Sequence, residues 1–339
     1  MNNLKKIGLS ALAGSLVAIS ANAAELSVSG SVEVTYTDTG GTQGNELTGN
    51  SFGAKSDMSF SGSGDVGFGT VSMSRALTDT GAITTSYQTL DMGDMGVFSF
   101  DSKAGALVGI TANDDAGMPT AYEEVWTGVG GDGVTGVGSA NVIGYRNTFS
   151  GVSISAGYTN AKGAGQTGES ASSGTADTTN GNSANGHGSV SDIYASMSPA
   201  EGITVGAGYA VDGSTDDSTE DSDTKEKLLN IKYSMGPVSA GVKMSRMSNG
   251  TKDGQDENTE GASIAFNVNE NLAISYGMLD HEKEQQGATA GIVMEMRGIS
   301  AAYTMGAASV RMNHSTASND GHVTGVDDEA TELSLALSF

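Results

Sequence analysis

Three short stretches have the spacing of known catalytic or cofactor sites. Gly49-Asn50-Ser51-Phe52-Gly53 matches the G-x-S-x-G elbow, in which a serine nucleophile sits on a tight turn between a strand and a helix. Gly62-Ser63-Gly64-Asp65-Val66-Gly67 and Gly128-Val129-Gly130-Gly131-Asp132-Gly133 match the G-x-G-x-x-G spacing that sets a helix N-terminus against a pyrophosphate. None has the context that its chemistry needs. A loop pattern precedes Ser51 and a strand pattern follows it, and neither glycine set opens a helix. With 50 glycines in 339 residues, such matches arise by chance. No Ser/His/Asp set or catalytic acid pair can be assembled elsewhere, so no enzyme activity is expected.

His187, His281, His314 and His322 lack metal-ligand spacing and fall in or beside loops, where solvated imidazoles are expected. Asp216, Asp217, Glu220, Asp221 and Asp223 offer the oxygen donors that Ca2+ prefers, but a solvated acidic loop explains them as simply. No other cofactor is implied. The absence of cysteine removes disulfides, thiol nucleophiles and thiolate metal sites. A formal net charge of −24 argues against nucleic-acid binding, which needs a basic face.

One acid-rich stretch remains. Residues 104–140 carry no sustained period-2 pattern, yet hold Pro119, the only tryptophan (Trp126) and the acids Asp114, Asp115, Glu123, Glu124 and Asp132. A loop this long inside a compact domain is functional or disordered, and its aromatic and apolar residues favour function. It reads as an acidic constriction loop folded back into a pore whose wall the other segments form.

Those segments are strands. Residues 1–23 first read as a secretory signal peptide, with Lys5 and Lys6 ahead of an apolar core and Ala21-Asn22-Ala23 as the cleavage site. That core is shorter than the ~20 residues of a membrane-spanning helix. The mature chain, 24–339, is expected to be one domain. From Glu25 to Thr37, Leu26, Val28, Gly30, Val32, Val34 and Tyr36 alternate with small polar residues and Glu33, the period of a strand. The texture recurs over 52–62, 70–78, 83–91, 96–103, 141–148, 152–160, 190–198, 203–212, 225–235, 238–248, 259–268, 271–281, 292–304, 307–316 and 330–339. About sixteen strands result, many close to the ~9–11 residues that a tilted strand needs to cross a bilayer.

Short links at 92–95, 149–151, 199–202, 236–237, 269–270 and 306 alternate with long polar ones at 38–50, 104–140, 161–189, 213–224, 249–258, 282–291 and 317–329. Short turns on one side and long loops on the other mark a membrane β-barrel. Such a sheet must close, because hydrocarbon cannot satisfy the polar groups of an open edge. The expected fold class is all-β: a transmembrane antiparallel β-barrel of about 16 strands with short periplasmic turns, long external loops and an inward-folded third loop.

Alternation also assigns faces. Val152, Ile154, Ala156 and Tyr158 oppose Ser153, Ser155, Gly157 and Thr159; Ile203, Val205, Ala207, Tyr209 and Val211 oppose Thr204, Gly206, Gly208 and Ala210. Lys55, Lys103, Arg146, Lys243 and Arg311 have the opposite parity to their apolar neighbours. A lipid-facing Lys or Arg at mid-membrane costs ~2–4 kcal/mol, so these five are expected to face the lumen as a basic wall. Arg75 shares parity with Val71 and Met73, which leaves its face open. Glu295 and Arg297 share parity with Ile299, Ala301 and Tyr303, which requires a bulge near Gly298 or a position close to the loop. Tyr36, Tyr158 and Tyr209 near the loops, with Tyr233 and Tyr303 near the turns, suit two aromatic girdles. The last strand puts Leu333, Leu335, Leu337 and Phe339 on one face, and a chain ending on Phe339 looks like an assembly signal for an outer-membrane barrel.

The signal peptide, the barrel texture, terminal Phe339 and the acidic third loop together resemble the sixteen-stranded general porins of Gram-negative outer membranes. The most specific residues are Glu123-Glu124-Val125-Trp126-Thr127-Gly128 and Gly130-Gly131-Asp132-Gly133, followed by a strand with Tyr145-Arg146. The resemblance implies a homotrimer of water-filled pores in the cell outer membrane, assembled by the barrel-assembly machinery among lipid and lipopolysaccharide. Small hydrophilic solutes and ions would diffuse through it passively. Such porins narrow between an acidic loop and a basic wall; here the basic half is thin, so a cation-preferring constriction is expected. Two rival readings are an outer-membrane surface hydrolase, which would need the missing catalytic constellation, and a secreted adhesive or structural β-protein without a pore.

Overall fold

The computed structural model describes residues 26–42, 50–103, 107–114, 118–123, 134–138, 141–160, 187–214, 223–248, 256–284 and 291–339. The expected signal peptide lies outside them, as do Asp216, Asp217, Glu220 and Asp221. The strands follow in chain order as β1 (Ser27–Gly41), β2 (Phe52–Asp65), β3 (Thr70–Thr78), β4 (Ile83–Asp91), β5 (Val97–Lys103), β6 (Val142–Phe149), β7 (Val152–Thr159) and β8 (His187–Ala200). They continue as β9 (Ile203–Ser214), β10 (Thr224–Met235), β11 (Val238–Ser248), β12 (Glu257–Asn267), β13 (Leu272–Lys283), β14 (Ile292–Met305), β15 (Ala308–Ser318) and β16 (Asp327–Ser338).

Each strand pairs antiparallel with its sequence neighbours, and β1 closes on β16, giving one sixteen-stranded barrel. Closure leaves no sheet edge, which is what a hydrocarbon solvent demands. Val34 lies opposite Leu335 and Tyr36 opposite Leu333 across the seam. Beyond it, Phe339 and Gly30 exchange backbone bonds in both directions at 2.9 Å. The two-residue turn Ser150-Gly151 has both residues left-handed (φ 50° and 83°), the geometry that matches strand twist in a tight hairpin.

The exterior is apolar. Val34, Ile143, Ile193, Leu229, Ile231, Ile264, Leu333 and Leu335 are all exposed outward, far more than a water-facing sheet sustains. Tyr36, Tyr158, Tyr209, Tyr233 and Tyr303 are exposed on the same face. Tyr158, Tyr233 and Tyr303 lie near strand ends, where the girdles were expected, whereas Tyr36 and Tyr209 lie well inside β1 and β9. Among the described residues no helix is long and apolar enough to cross a membrane; the strands do the crossing.

Two ambiguities resolve. The pairing of β14 with β13 and β15 runs without a shift, so no bulge at Gly298 rescues Glu295 and Arg297. Both face outward beside the long loops, where Arg297 meets Asp280 at 2.6 Å and Glu295 at 3.6 Å. Arg75 also faces outward, opposite Phe60 and Ser86, and donates to the Ser86 hydroxyl at 3.4 Å.

Candidate functional site

The third loop enters the barrel because its own apolar residues need cover. In its described segments, Val108, Ile110, Met118, Val134 and Val137 are buried against inward-facing wall residues such as Val142, Val190, Tyr194, Ala210 and Leu228. Burying a side chain of this kind contributes roughly 1.5–3 kcal/mol. Small residues on the wall make the room: a Cβ on Gly208 would overlap Ile110, and one on Gly144 would lie 2.6 Å from Val108.

Two buried carboxylates satisfy the loop backbone. Asp192 on β8 accepts from the amides of Ile110 (3.1 Å) and Val137 (3.2 Å). Glu226 on β10 accepts from Thr135 N (2.9 Å), Thr135 Oγ1 (2.7 Å) and Gly136 N (2.8 Å). Gly136 has φ 48°, and a Cβ there would stand 2.5 Å from the Asp192 carboxylate, so glycine permits both the turn and the approach. Sequence parity puts Asp192 and Glu226 inward, yet nothing local marks them as anchors. Both were missed.

The described part of the loop then follows the inner wall toward the seam. Asp114 meets Lys243 of β11 at 3.3 Å, Ser263 on β12 donates to Pro119 O at 3.1 Å, and Ala121 N donates to Ser275 of β13 at 2.7 Å. Ser300 of β14 donates to Glu123 O at 2.9 Å. Tyr122 reaches farthest. Its hydroxyl lies 2.8 Å from Glu332 on β16 and 3.3 Å from Glu33 on β1, and the Arg311 guanidinium stacks 4.7 Å above its ring. Arg311 and Lys55 pair with Glu33 at 3.3 and 3.0 Å. Burial pushes the Tyr122 phenol above its ordinary pKa. Burial first, and then the charge of Glu332, raise the Glu123 carboxyl.

Several expected site residues therefore change meaning. Asp114 is not an open acid, and Lys243, though inward, is only 2% exposed beneath the loop. The pair neutralises itself against the wall, because a buried cation requires a partner. Lys55, Arg311 and Arg146 face inward; Arg146 lines an open cleft with Asp91, Asn113 and Asn147. Lys103 ends β5, and its side chain lies outside the described residues, as do Asp115, Glu124 and Asp132. The wall carboxylates Glu33 and Glu332 were missed, since a lone inward acid on a strand carries no motif.

The histidines divide. His281 is 1% exposed, 3.3 Å from Glu257 and edge-on to His322 at 4.7 Å, so it is not the solvated imidazole expected. Burial holds the His322 imidazole below its ordinary pKa. His314 faces outward and bonds Thr331 at 2.8 Å, and the side chain of His187 lies outside the described residues. Among the described residues no cluster of three or more His, Cys, Asp or Glu could hold a metal.

An apolar exterior, a polar inner wall and a loop docked on that wall define a channel-forming transmembrane barrel. The comparisons agree and name the family. The family model described as Gram-negative porin matches residues 8–293, and the chain belongs to that family. Salmonella typhi OmpF in complex with daunomycin shares the fold at TM-score 0.66 and 13% identity, over 93% of this chain and 98% of that one. An anion-selective porin from Comamonas acidovorans aligns at TM-score 0.61 and 12% identity, over 93% of this chain and all of that one. A loop L8 deletion mutant of Vibrio cholerae OmpT aligns at 0.60 and 12%, over 94% and 100%. No curated protein matches the chain significantly in sequence. The protein is an outer-membrane porin.

Proposed function

We propose that this porin is a passive diffusion channel for small hydrophilic solutes and ions with a modest preference for cations, and that it is not an enzyme. The supporting observation is the charge around Tyr122. Three carboxylates (Glu33, Glu123, Glu332) meet two cations (Lys55, Arg311), and Asp57 adds its charge beside Lys55, so carboxylates outnumber cations there. A monovalent cation ~5 Å from one uncompensated carboxylate gains about 0.8 kcal/mol at water-like dielectric, roughly a fourfold enrichment over an uncharged site, and an anion is disfavoured by the same amount. The preference shrinks in 1 M salt, where the Debye length is ~3 Å. The test is a reversal-potential measurement across a planar bilayer under a dilute KCl gradient. Glu33→Gln with Glu332→Gln should move the potential toward the non-selective value; an unchanged potential would reject this site as the selectivity determinant.

The outward polar residues of β3 and β4 support self-association. Arg75 bonded to Ser86 is costly against lipid and acceptable against another copy of the chain. A homotrimer joined over this face is the proposed assembly, surrounded by outer-membrane lipid and lipopolysaccharide and folded by the barrel-assembly machinery. Arg75→Glu should shift cross-linked species from trimer to monomer.

A further inference from the structure

The inner wall at the loop end of β13 and β14 carries a buried row that passive diffusion does not require. Leu279 and His281 on β13 pair with Met296 and Met294 on β14, and all four are at most 4% exposed. His281 stands directly opposite Met294, which puts their Cβ atoms ~4.5–5.5 Å apart on one face. The His281 Nε2 turns to the Glu257 carboxylate at 3.3 Å, so Nδ1 is the ring nitrogen directed away from that carboxylate.

A second imidazole reaches this row from the long connection between β15 and β16. The short 3-10 turn Asp320–His322 packs on β14, where the Asn319 side-chain amide donates to Val293 O at 2.9 Å. The His322 ring bonds the His281 backbone, while its Nε2 is buried and meets no hydrogen-bond partner among the described residues. One ring nitrogen held by the backbone leaves the other as a directed lone pair, the pose of a metal-bound imidazole. The backbone beneath it is left-handed (φ 60°), a conformation uncommon for a residue with a Cβ. Burial holds the ring below its ordinary pKa, in the neutral form that a metal requires.

The donor set decides the metal. The two ring centroids are 4.7 Å apart, and metal–imidazole bonds of ~2.0–2.1 Å let one nitrogen of each ring meet at a single ion. Among the described residues no third His, Cys, Asp or Glu converges with them. Glu257 is shared between His281 and Lys283, so it orients the ring from behind. The third donor at hand is the Met294 thioether. A thioether with imidazoles selects Cu(I) over harder ions.

We propose that His281, His322 and Met294 bind one Cu(I) ion, which pins the last long connection to the inner wall. The site shares no residue with the charges around Tyr122 and does not depend on their setting selectivity.

The probe is Ag+, a redox-inert ion of the same softness, titrated in nitrate buffer into untagged barrel in detergent and counted by native mass spectrometry. The chain has no cysteine, so no thiol competes for it. A single tight ion per chain is expected, preferred over Zn2+ and displaced by Cu(I) kept reduced with ascorbate. His322→Asn, which suits a left-handed backbone, and Met294→Leu should each lose it. Met296→Leu, deeper on the same face, should keep it. Glu257→Gln should weaken it by about 10- to 100-fold, the usual cost of losing an outer-shell partner. Single-channel conductance identifies the variants that fold, so loss of the ion from a conducting barrel supports the site. No tight ion in the parent, tighter binding of Zn2+, or undiminished binding by His322→Asn or Met294→Leu would overturn it.

Discussion

Replacing Glu226 by alanine should release one end of the third loop without opening the barrel. The side chain is 1% exposed and accepts three hydrogen bonds between 2.7 and 2.9 Å from Thr135 and Gly136. Bonds to a charged group contribute about 1.5–3 kcal/mol each. The freed donors can rehydrate from the lumen, and a buried carboxylate no longer has to be desolvated, so the net loss is about 2–4 kcal/mol. That raises the population of a loosened 134–138 segment by about 30- to 1000-fold. Asp192 and the buried apolar side chains still hold the remainder. Single-channel recording should show noisier open currents and a larger mean conductance, and added protease should cut the loop faster. The thermal unfolding midpoint of the barrel should stay put, because the strand pairing of β10 does not depend on this carboxylate. Glu226→Gln keeps one carbonyl acceptor and should fall between parent and alanine. Identical noise, conductance and proteolysis in Glu226→Ala would show that the loop is held without this anchor, and the reasoning would fail.

Two further outcomes follow from the same geometry. Because Glu123 titrates above the ordinary carboxylate range, it is charged above its raised pKa and neutral below it. Cation preference should therefore begin to fall, as pH drops, before ordinary carboxylates protonate; Glu123→Gln should remove that early step from the pH profile of the reversal potential. Deleting Phe339 should lower the yield of folded barrel, since the residue closes the seam with two backbone bonds to Gly30. Barrels that do fold should conduct like the parent, and equal yields in refolding and in cells would argue against both a seam and an assembly role.

Much of the fold was legible in the chain because strand structure is local. The period-2 alternation determined the strand count, the outward apolar belt and the inward parity of Lys55, Arg146 and Arg311. Turn and loop lengths determined which ends lie together. Parity, however, encodes a face and says nothing of height along the strand or of what covers it. Glu295 and Arg297 were ambiguous for the first reason; they face outward but sit beside the loops. Lys243 faces inward as its parity required, but its pairing with Asp114 was hidden for the second, since two charges 129 residues apart become a wall-bound pair only when the loop docks. The anchors Asp192 and Glu226, the carboxylates Glu33 and Glu332 around Tyr122, and the burial of His281 were likewise decided by closure of the barrel. Closure brings β1 beside β16 and lays the third loop across the inner wall, and contacts between such distant segments leave no periodic trace in the sequence.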